Sequence, residues 1–303
     1  MPRTLADIGE FGFIDKIART AFCSKRVIKG IGDDTAVLPL SSRKYLLFTT
    51  DMMAEGVHFT RRAAPQAIGH KALACNISDI AAMGGVPTYA VVSIGLPPQL
   101  AVGYAGKIYE GINRLAKEFS VSVVGDDTIR SNKIVINIAL LGEVEKKYLT
   151  LRSGAKVGDW IFVTGALGRS LATGKHLKFI PRLKEARFLA GRFKPSAIVD
   201  ISDGLAGDLG HILRASKVGA RIFEKEIPRT KGATLTQALY DGEDFELLFT
   251  LSLVKAQSLI AWQAARRGWF FYPIGRITAG NRLELVKEGG RVVLLKTEGF
   301  KHF

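Results

Sequence analysis

The sequence predicts a two-domain protein of the mixed α/β or α+β class. The chain has 303 residues, which is longer than most single domains. Segments with strand-like and helix-like patterns follow one another in both halves. A glycine-rich turn within residues 151–168 then leads into a new strand, as at the start of a second unit. We therefore predict an N-terminal domain over residues 1–148 and a C-terminal α/β domain over residues 149–303.

A long helix is predicted in the first half over residues 65–84. Leu73, Ile77 and Ile80 recur there at the spacing of one helix face. The other elements of this half follow from apolar runs that turn residues separate. They are a helix at about 5–22, strands at 36–40, 44–51 and 88–96, a helix at about 99–119, and two strands within 121–125 and 133–144.

The second half repeats this alternation of strands and helices. Its first strands are predicted in DWIFVTG (159–165) and SAIVDIS (196–202), which are short apolar runs bounded by small or polar residues. A helix is predicted from Gly204 onward. The last third adds GARIFEKEIP (219–228), FELLFTLS (245–252), a helix at about 253–267 and terminal strands. Because no Pro-rich or low-complexity linker interrupts the chain, both halves are predicted to be folded.

Composition and cysteine usage favour a cytoplasmic protein with an ordinary core. Hydrophobic residues make up 47% of the chain and charged residues 23%. Cys23 and Cys75 show no metal-ligand spacing, which fits a reducing compartment. The N-terminal MPRTLADIGEFG lacks the apolar core of a signal peptide, and no window approaches the ~20 apolar residues that a membrane span needs. We expect a soluble cytoplasmic protein without a membrane partner.

The chain is strongly basic, with 43 Lys and Arg against 28 Asp and Glu and a formal charge of +15. Such a balance suggests anionic partners, of which nucleic acid is one. The basic residues are scattered, however, and the densest stretch (174–194) has the pattern of an amphipathic helical surface. We interpret the charge as a solvated surface and expect no nucleic-acid partner.

The acidic residues are distributed less evenly than the basic ones. One group of carboxylates is flanked only by Gly, Ser, Thr, other acids or apolar residues, and never directly by Lys or Arg. In a chain this basic, such segregation indicates that these acids serve a bound cation. The group consists of Asp33, Asp34, Asp51, Asp79, Asp126, Asp127, Asp200, Asp203, Glu243 and Asp244.

Two GDDT segments, in GIGDDTAV (30–37) and VVGDDTIR (123–130), place paired aspartates inside apolar stretches. Adjacent carboxylates repel each other, more strongly where apolar neighbours lower the dielectric, so a cation is expected beside them. Mg²⁺ prefers carboxylate oxygens together with water and phosphate. A Gly-Asp turn or a helix cap is the structural alternative for each acid. The residues that we expect to hold Mg²⁺ are Asp34, Asp51, Asp79, Asp127, Asp200 and Asp203.

Two familiar phosphate-binding signatures are absent from the sequence. GRSLATGKH (168–176) has the wrong spacing for a Walker A loop. GIGDDT lacks the third glycine of a dinucleotide-binding fingerprint, because Thr35 occupies that position. If the protein binds ATP, it does so through other groups, for which the segregated acids are the candidates.

Several motifs together resemble the thiamine-monophosphate kinase family, in the order that this family has them and over nearly the whole chain. They are GIGDDTAV, LFTTDMMAEGVHF, HKALACNISDIAAMGGVPT, VVGDDTIRS, LRSGAKVGDWIFVTGALGRS, DISDGLAGDLGHI, LYDGEDFELLFT and the closing GFKHF. The resemblance implies the two-domain aminoimidazole ribonucleotide synthetase-like fold, with ATP in the cleft between the halves. It also implies a homodimer formed through the N-terminal, ATP- and Mg-binding domain.

The resemblance assigns roles to individual residues of this chain. Metal ligands implied by it are Asp34, Thr49, Thr50, Asp51, Asp79, Asp127, Asp200 and Asp203. Implied ATP contacts are Gly125, Asp126, Asp127, Arg152 and Ser202, and implied substrate contacts are His58, Glu243 and Phe300. For Phe300 the structural alternative is an aromatic side chain that closes the core.

Two positions depart from the family pattern. Asp126 stands where the family usually has the second glycine of GGDT, and Asp241 stands where it has the first glycine of GGED. Glycine in a turn often supplies a positive φ, and aspartate tolerates that conformation better than most residues. We expect both turns to persist. Asp126 either crowds the ATP phosphates or recruits a further cation.

The implied function is ATP-dependent phosphorylation of thiamine monophosphate to thiamine diphosphate, a transferase step of thiamine biosynthesis. The acceptor phosphate has a second pKa of about 6, so it is already an anionic nucleophile and no catalytic general base is expected. Bringing two polyanions together instead calls for several Mg²⁺ ions and direct in-line transfer. The alternatives are another ATP-dependent small-molecule enzyme of the same superfamily and a non-enzymatic nucleotide- or nucleic-acid-binding protein.

Overall fold

Two β-sheets organise the chain, one in each half. The computed structural model describes residues 4–265 and 268–300. Within them the first sheet contains β1 (Ala36–Pro39), β2 (Lys44–Ala54), β3 (Val86–Leu96), β4 (Ser122–Arg130) and β5 (Val135–Glu145). Their spatial order is β1-β2-β5-β3-β4, so β1 and β4 are the edges. All pairs are antiparallel except β3 with β4.

The second sheet is larger and also mixed. Its strands are β6 (Trp160–Val163), β7 (Ala197–Asp200), β8 (Gly219–Phe223), β9 (Leu247–Leu251), β10 (Tyr272–Thr278), β11 (Leu283–Val286) and β12 (Val292–Leu294). They lie in the order β12-β11-β8-β10-β6-β9-β7. The mixed α/β class and the two-part architecture are therefore confirmed. The segment from 146 to 159 joins the two sheets, and the boundary at 148/149 stays a prediction.

Helices cover one face of the first sheet and flank the second. The first half has α1 (Leu5–Thr20), α2 (Pro65–Ala82) and α3 (Val102–Glu118). The second half has α4 (Ser170–Thr173), α5 (Leu183–Arg192), α6 (Leu205–Ser216), α7 (Leu235–Tyr240) and α8 (Leu253–Ala264). The predicted elements are observed with the predicted type and order, and their ends differ by up to five residues. α7 was not predicted, and the predicted end of α8 at 267 lies outside the described residues.

Helix α2 is the central element of the fold. From Ile68 to Ala82 all of its residues are buried except Asp79, which is half-buried. α2 packs on β2 and β5 of the first sheet and also contacts α5 and β7 of the second half. One helix therefore supports both sides of the junction between the halves.

Two glycines let α2 and α3 pack with their backbones in contact. A Cβ atom at Gly69 would lie 1.9 Å from the Ile108 carbonyl oxygen, and one at Gly111 would lie 2.0 Å from the Gln66 carbonyl oxygen. Real Cβ atoms do not approach oxygen that closely, so only glycine fits at either position. This close packing fixes α2 over the sheet and with it the side chains that α2 directs toward the junction.

Three sequence expectations about local conformation are wrong. The second GDDT (125–128) is not a turn but part of β4, where every residue is extended. Asp126 does not have a positive φ, and Asp241 has φ −65 at the end of α7, so neither position needs glycine. The positive φ near Asp241 belongs to Gly242 at +70. The predicted first helix is also interrupted, at Gly9 with φ +64.

Candidate active site

A cleft of about 330 Å³ opens where the two halves meet. Residues from α2, β2, the loop before β1, the end of β7 and the loop after α7 line it. The predicted site residues that line it are Asp34, Thr49, Thr50, Asp51, His58, Asp79, Arg152, Asp200, Ser202, Asp203, Glu243 and Phe300. The fold thus brings most of the segregated acids to one place from segments far apart in sequence.

Three of these acids form a compact cluster at the base of the cleft. Carboxylate oxygens of Asp34, Asp79 and Asp200 lie within 4.8 Å of one another. The Thr49 hydroxyl donates to Asp79 at 2.6 Å, which ties β2 to α2. The Ser78 hydroxyl donates to Asp200 at 2.6 Å, which ties α2 to β7 across the junction. Neutral hydroxyl groups therefore orient the carboxylates without neutralising them.

Burial and mutual repulsion raise the pKa values of the carboxyl groups in and beside this cluster. Burial, with the Asp34 charge, raises the pKa of Asp51 to about 6. Burial and the Asp34 charge likewise raise the pKa of Asp200 to about 7. Burial and the Asp51 charge raise the pKa of Asp79 well above its ordinary value. So many carboxylates at this separation are stable as anions only beside a cation.

Arg152 supplies part of that positive charge. Its guanidinium donates to Asp34 Oδ1 at 2.6 Å from Nη2 and at 3.2 Å from Nε. Its backbone N–H donates to Asp33 at 3.1 Å. Even so, Oδ2 of Asp33 and Oδ2 of Asp34 are buried without a hydrogen-bond partner in the described residues. The Lys29 ammonium lies 3.7 Å from Asp33 Oδ2, so these two cations leave Oδ2 of Asp34 as the unsatisfied oxygen of the first GDDT.

The unsatisfied oxygen fits a divalent cation. The donor set of Asp34, Asp79 and Asp200 is all carboxylate, which is what Mg²⁺ prefers. Asp51 and the Thr49 hydroxyl lie beside it in the same cleft. Mg²⁺ bound here would satisfy the orphaned Asp34 oxygen and offset the repulsion that raises the pKa values.

A second acidic group lies at the cleft rim, where α6 begins. Ligand atoms of Asp203, Asp208 and His211 lie within 4.8 Å of one another. Asp208 accepts the backbone N–H groups of Asp203 and Gly204, each at 3.0 Å, so it holds the DISDG loop in shape. Burial, with the charges of Arg152 and Arg214, lowers the pKa of His211 to about 3, which keeps this imidazole neutral.

The predicted substrate contacts His58, Glu243 and Phe300 also line the cleft. Glu243 adopts a left-handed conformation with φ +54, fixed by its N–H donating to the Ser202 carbonyl at 2.7 Å. His58 accepts the Ala54 N–H at Nδ1. Phe300 is 43% exposed, so it does not close the core and the structural alternative for it is wrong.

Three predicted site residues are not at this cleft within one chain. Gly125, Asp126 and Asp127 lie on edge strand β4. Asp51 of β2 pairs with Ile138 of β5, Ile138 pairs with Val92 of β3, and Val92 pairs with Asp126 of β4. At the usual strand spacing, β4 is about 14 Å from β2. Asp126 pairs with Val92, which is buried on the sheet face that carries α2. Because successive side chains of a strand point to opposite faces, Asp127 lies on the other face of the sheet.

Several residues at the cleft were not singled out from the sequence as site residues. The most prominent is Lys71, whose side chain is 1% exposed. Cys75, Glu10, Asp241 and Phe245 also line the cleft. A signal for Lys71 existed, because Lys71, Cys75 and Asp79 are four residues apart and so share one face of α2.

Comparisons with known proteins agree with this geometry. The family model for the N-terminal domain of AIR synthase related proteins matches residues 32–144, and the model for the C-terminal domain matches residues 156–288. Together with the acid-lined cleft, these matches define an AIR synthase related protein of two domains.

Similar proteins of known name identify the family within this class. The thiamine-monophosphate kinase of Aquifex aeolicus is 36% identical over 81% of this chain and 87% of its own. The Bacillus subtilis protein of the same name is 33% identical over 97% of this chain and 99% of its own. The chain belongs to the thiamine-monophosphate kinase family. The expectation that it is an enzyme of this kinase family is confirmed.

Solved structures give the same result. One described as AaThiL complexed with AMPPCP and TMP superposes with a TM-score of 0.87 at 34% identity and covers all of both chains. Escherichia coli HypE, a hydrogenase maturation protein, reaches a TM-score of 0.70 at 18% identity, which shows the shared fold alone. Among the described residues, no helix is long and apolar enough to cross a membrane.

Proposed function

We propose that this protein transfers the γ-phosphoryl group of ATP to thiamine monophosphate and so forms thiamine diphosphate. The observation that carries the proposal is the cluster of Asp34, Asp79 and Asp200 in a cleft between the halves. Family membership supports the reaction. The similar structure that holds AMPPCP and TMP supports a cleft able to take both a nucleotide and the acceptor.

The residues of the cleft suit an in-line transfer without a general base. The acceptor phosphate is largely a dianion at neutral pH, since its second pKa is about 6. A proton acceptor beside it is therefore unnecessary, and neutral His211 at the rim fits that absence. What the reaction needs is neutralisation of two polyanions and alignment of attacking and leaving oxygens.

Several Mg²⁺ ions, when bound, would supply that charge neutralisation. Asp34, Asp51, Asp79 and Asp200 would hold them, with Thr49 beside them, and Asp203 would contribute from the rim. Arg152 pairs with Asp34 through Nε and Nη2, and we propose that its remaining N–H groups donate to the ATP phosphates. Ser202 and the DISDG loop, shaped by Asp208, border the nucleotide.

We further propose a homodimer through the outer face of the first sheet. No helix of the described residues packs on this face, and it exposes large apolar side chains, including Met52 at 62% and Ile129 at 61%. An exposed apolar face of this kind is typical of a protein contact. Asp127 and Thr50 lie on it, so we propose that Asp127 acts on the metal and ATP site across the dimer contact.

A mixing experiment tests this arrangement. Asp79→Asn and Asp127→Asn should each be inactive as homodimers, because each removes a metal ligand from every site. Random re-assortment of the two variants should restore roughly a quarter of wild-type activity, since one site of each heterodimer escapes both substitutions. No recovery after verified exchange of subunits would contradict a role for Asp127 across the contact.

The reaction itself is tested with thiamine monophosphate, ATP and Mg²⁺, with and without a chelator. We expect labelled thiamine diphosphate from γ-labelled ATP, and none with the chelator. A panel of other small phosphate and carboxylate acceptors separates this proposal from another ATP-dependent enzyme of the superfamily. Labelling of a different acceptor, with thiamine monophosphate inert, would overturn it.

A further inference from the structure

Lys71 is a buried cation that lines the cleft, and the proposed phosphoryl transfer does not require it. It lies on the face of α2 that also carries Asp79, and its side chain is 1% exposed. Lysine is almost never fully buried unless paired, because removing an ammonium from water is costly. A cation kept at this cost inside a cleft needs a structural or functional reason.

The partners of Lys71 come from both halves of the protein. Its ammonium donates to Glu243 Oε1 in an ion pair and to the His58 backbone carbonyl at 3.0 Å. Glu243 and His58 are two of the three residues that the family pattern places against the acceptor. One buried side chain therefore joins two of the segments expected to bind the acceptor.

The surroundings leave the Glu243 carboxylate little freedom. Its backbone N–H donates to the Ser202 carbonyl at 2.7 Å, and its carbonyl accepts the Ser170 hydroxyl at 2.6 Å. With the main chain fixed on both sides, Lys71 sets the direction of the side chain. The ammonium also cancels the carboxylate charge, so Glu243 does not present a bare anion to the acceptor.

We propose that Lys71 is a positioning residue for acceptor recognition, holding Glu243 so that its second carboxylate oxygen accepts an N–H from the aminopyrimidine ring. The inference rests on the proposed function and deepens it. A charge-neutral pair attracts the thiazolium cation weakly, whereas a fixed oxygen discriminates strongly for an N–H donor. The amino group of the acceptor is then the recognised feature.

Steady-state kinetics of Lys71→Met test this role. We expect the KM for thiamine monophosphate to rise at least tenfold, with kcat within threefold of wild type and the KM for ATP within twofold. An acceptor analogue without the pyrimidine amino group should be at least tenfold worse for the wild type. The variant should discriminate against it less than threefold, a loss of selectivity that a merely structural role would not produce.

Lys175→Met is the matched control. Lys175 also pairs with a buried carboxylate, Glu246 at 2.9 Å, but it does not line the cleft. It should lower thermal stability without changing either KM. In the double variant Lys71→Met/Glu243→Gln no charge is left unpaired, so its acceptor KM should be no higher than that of Lys71→Met alone.

An acceptor KM within twofold of wild type in Lys71→Met, or equal increases in both KM values, would overturn the inference. If Lys71→Met cannot be purified folded, Lys71→Gln replaces it: its side chain is one atom shorter and uncharged, so it should hold Glu243 less well, and the acceptor KM should still rise while the KM for ATP stays within twofold. Absence of thiamine diphosphate synthesis by the wild type would instead refute the proposed function, so the two failures are distinguishable.

Discussion

Replacing Asp51 by Asn should stabilise the metal-free protein while abolishing its activity. The asparagine keeps the size and hydrogen-bonding shape of the side chain and removes one charge from the acid cluster. The pKa of Asp51 is raised from 3.8 to about 6 by burial and by the Asp34 charge. At about 1.4 kcal/mol per pKa unit, ionised Asp51 costs the metal-free fold about 3 kcal/mol.

The sign of this effect depends on pH. A carboxyl group whose pKa is raised on folding destabilises the fold once it is ionised, so its cost is absent below pH 4 and complete above pH 6 to 7. The stability difference between variant and wild type should therefore be large at pH 8 and disappear at pH 4. With saturating Mg²⁺ and ATP the order should reverse, because the wild type binds them and the variant does not.

The measurement is denaturant unfolding with a chelator at pH 4, 6 and 8, followed by thermal unfolding with Mg²⁺ and ATP. Asp126→Asn is the matched control, since it removes an exposed carboxylate from edge strand β4, three strands away from β2, and should change stability little. Turnover of Asp51→Asn should fall at least a hundredfold. A variant that is less stable than the wild type at pH 8 with chelator, or a gain independent of pH, would refute the reasoning.

Three further substitutions test other parts of the structure. Gly69→Ala should destabilise by about 2 to 3 kcal/mol in denaturant unfolding, because its Cβ would meet a backbone carbonyl of α3 at 1.9 Å, whereas Gly103→Ala, with no atom within 4 Å, should be neutral or slightly stabilising. Arg152→Met should raise the KM for ATP at least tenfold and leave the acceptor KM within threefold, since it removes a cation beside Asp34; equal changes in both would contradict its placement at the nucleotide. Asp241→Gly should keep both KM values within threefold, because Asp241 Oδ2 accepts the Arg169 N–H at 3.0 Å and so has a partner within the protein; a tenfold change in one KM alone would show that this carboxylate acts on a ligand.

The acid cluster could be predicted from sequence because its signal is local. Asp51, Asp79 and Asp200 each follow or precede small and apolar residues without an adjacent base, and this pattern is visible without knowing the fold. What cannot be read locally is which of these acids meet. The register of the first sheet places Asp127 on the outer face at an edge, and no property of the segment 123–130 encodes that distance.

Backbone conformation was also predicted incorrectly where it depends on long-range pairing. The second GDDT was expected to turn because of its glycine, yet pairing with β3 extends it through Gly125 and Asp126. Long-range pairing thus overrides local turn preference. Lys71 was missed because a lone lysine in a helix normally reaches solvent, and only the packing of both halves around α2 encloses it.

The face of α2 that carries Lys71 and Asp79 has a consequence for the shape of ligands. Lys71 and Asp79 are eight positions apart, and a helix rises about 1.5 Å per residue, so their Cα atoms lie about 12 Å apart along the helix axis. The close backbone contact at Gly69 prevents that axis from shifting. The helix therefore sets a fixed distance between the two ends of the cleft. Under the proposed function, a ligand whose ring is recognised near Lys71 reaches the acid cluster with its phosphate only if the ligand spans that distance.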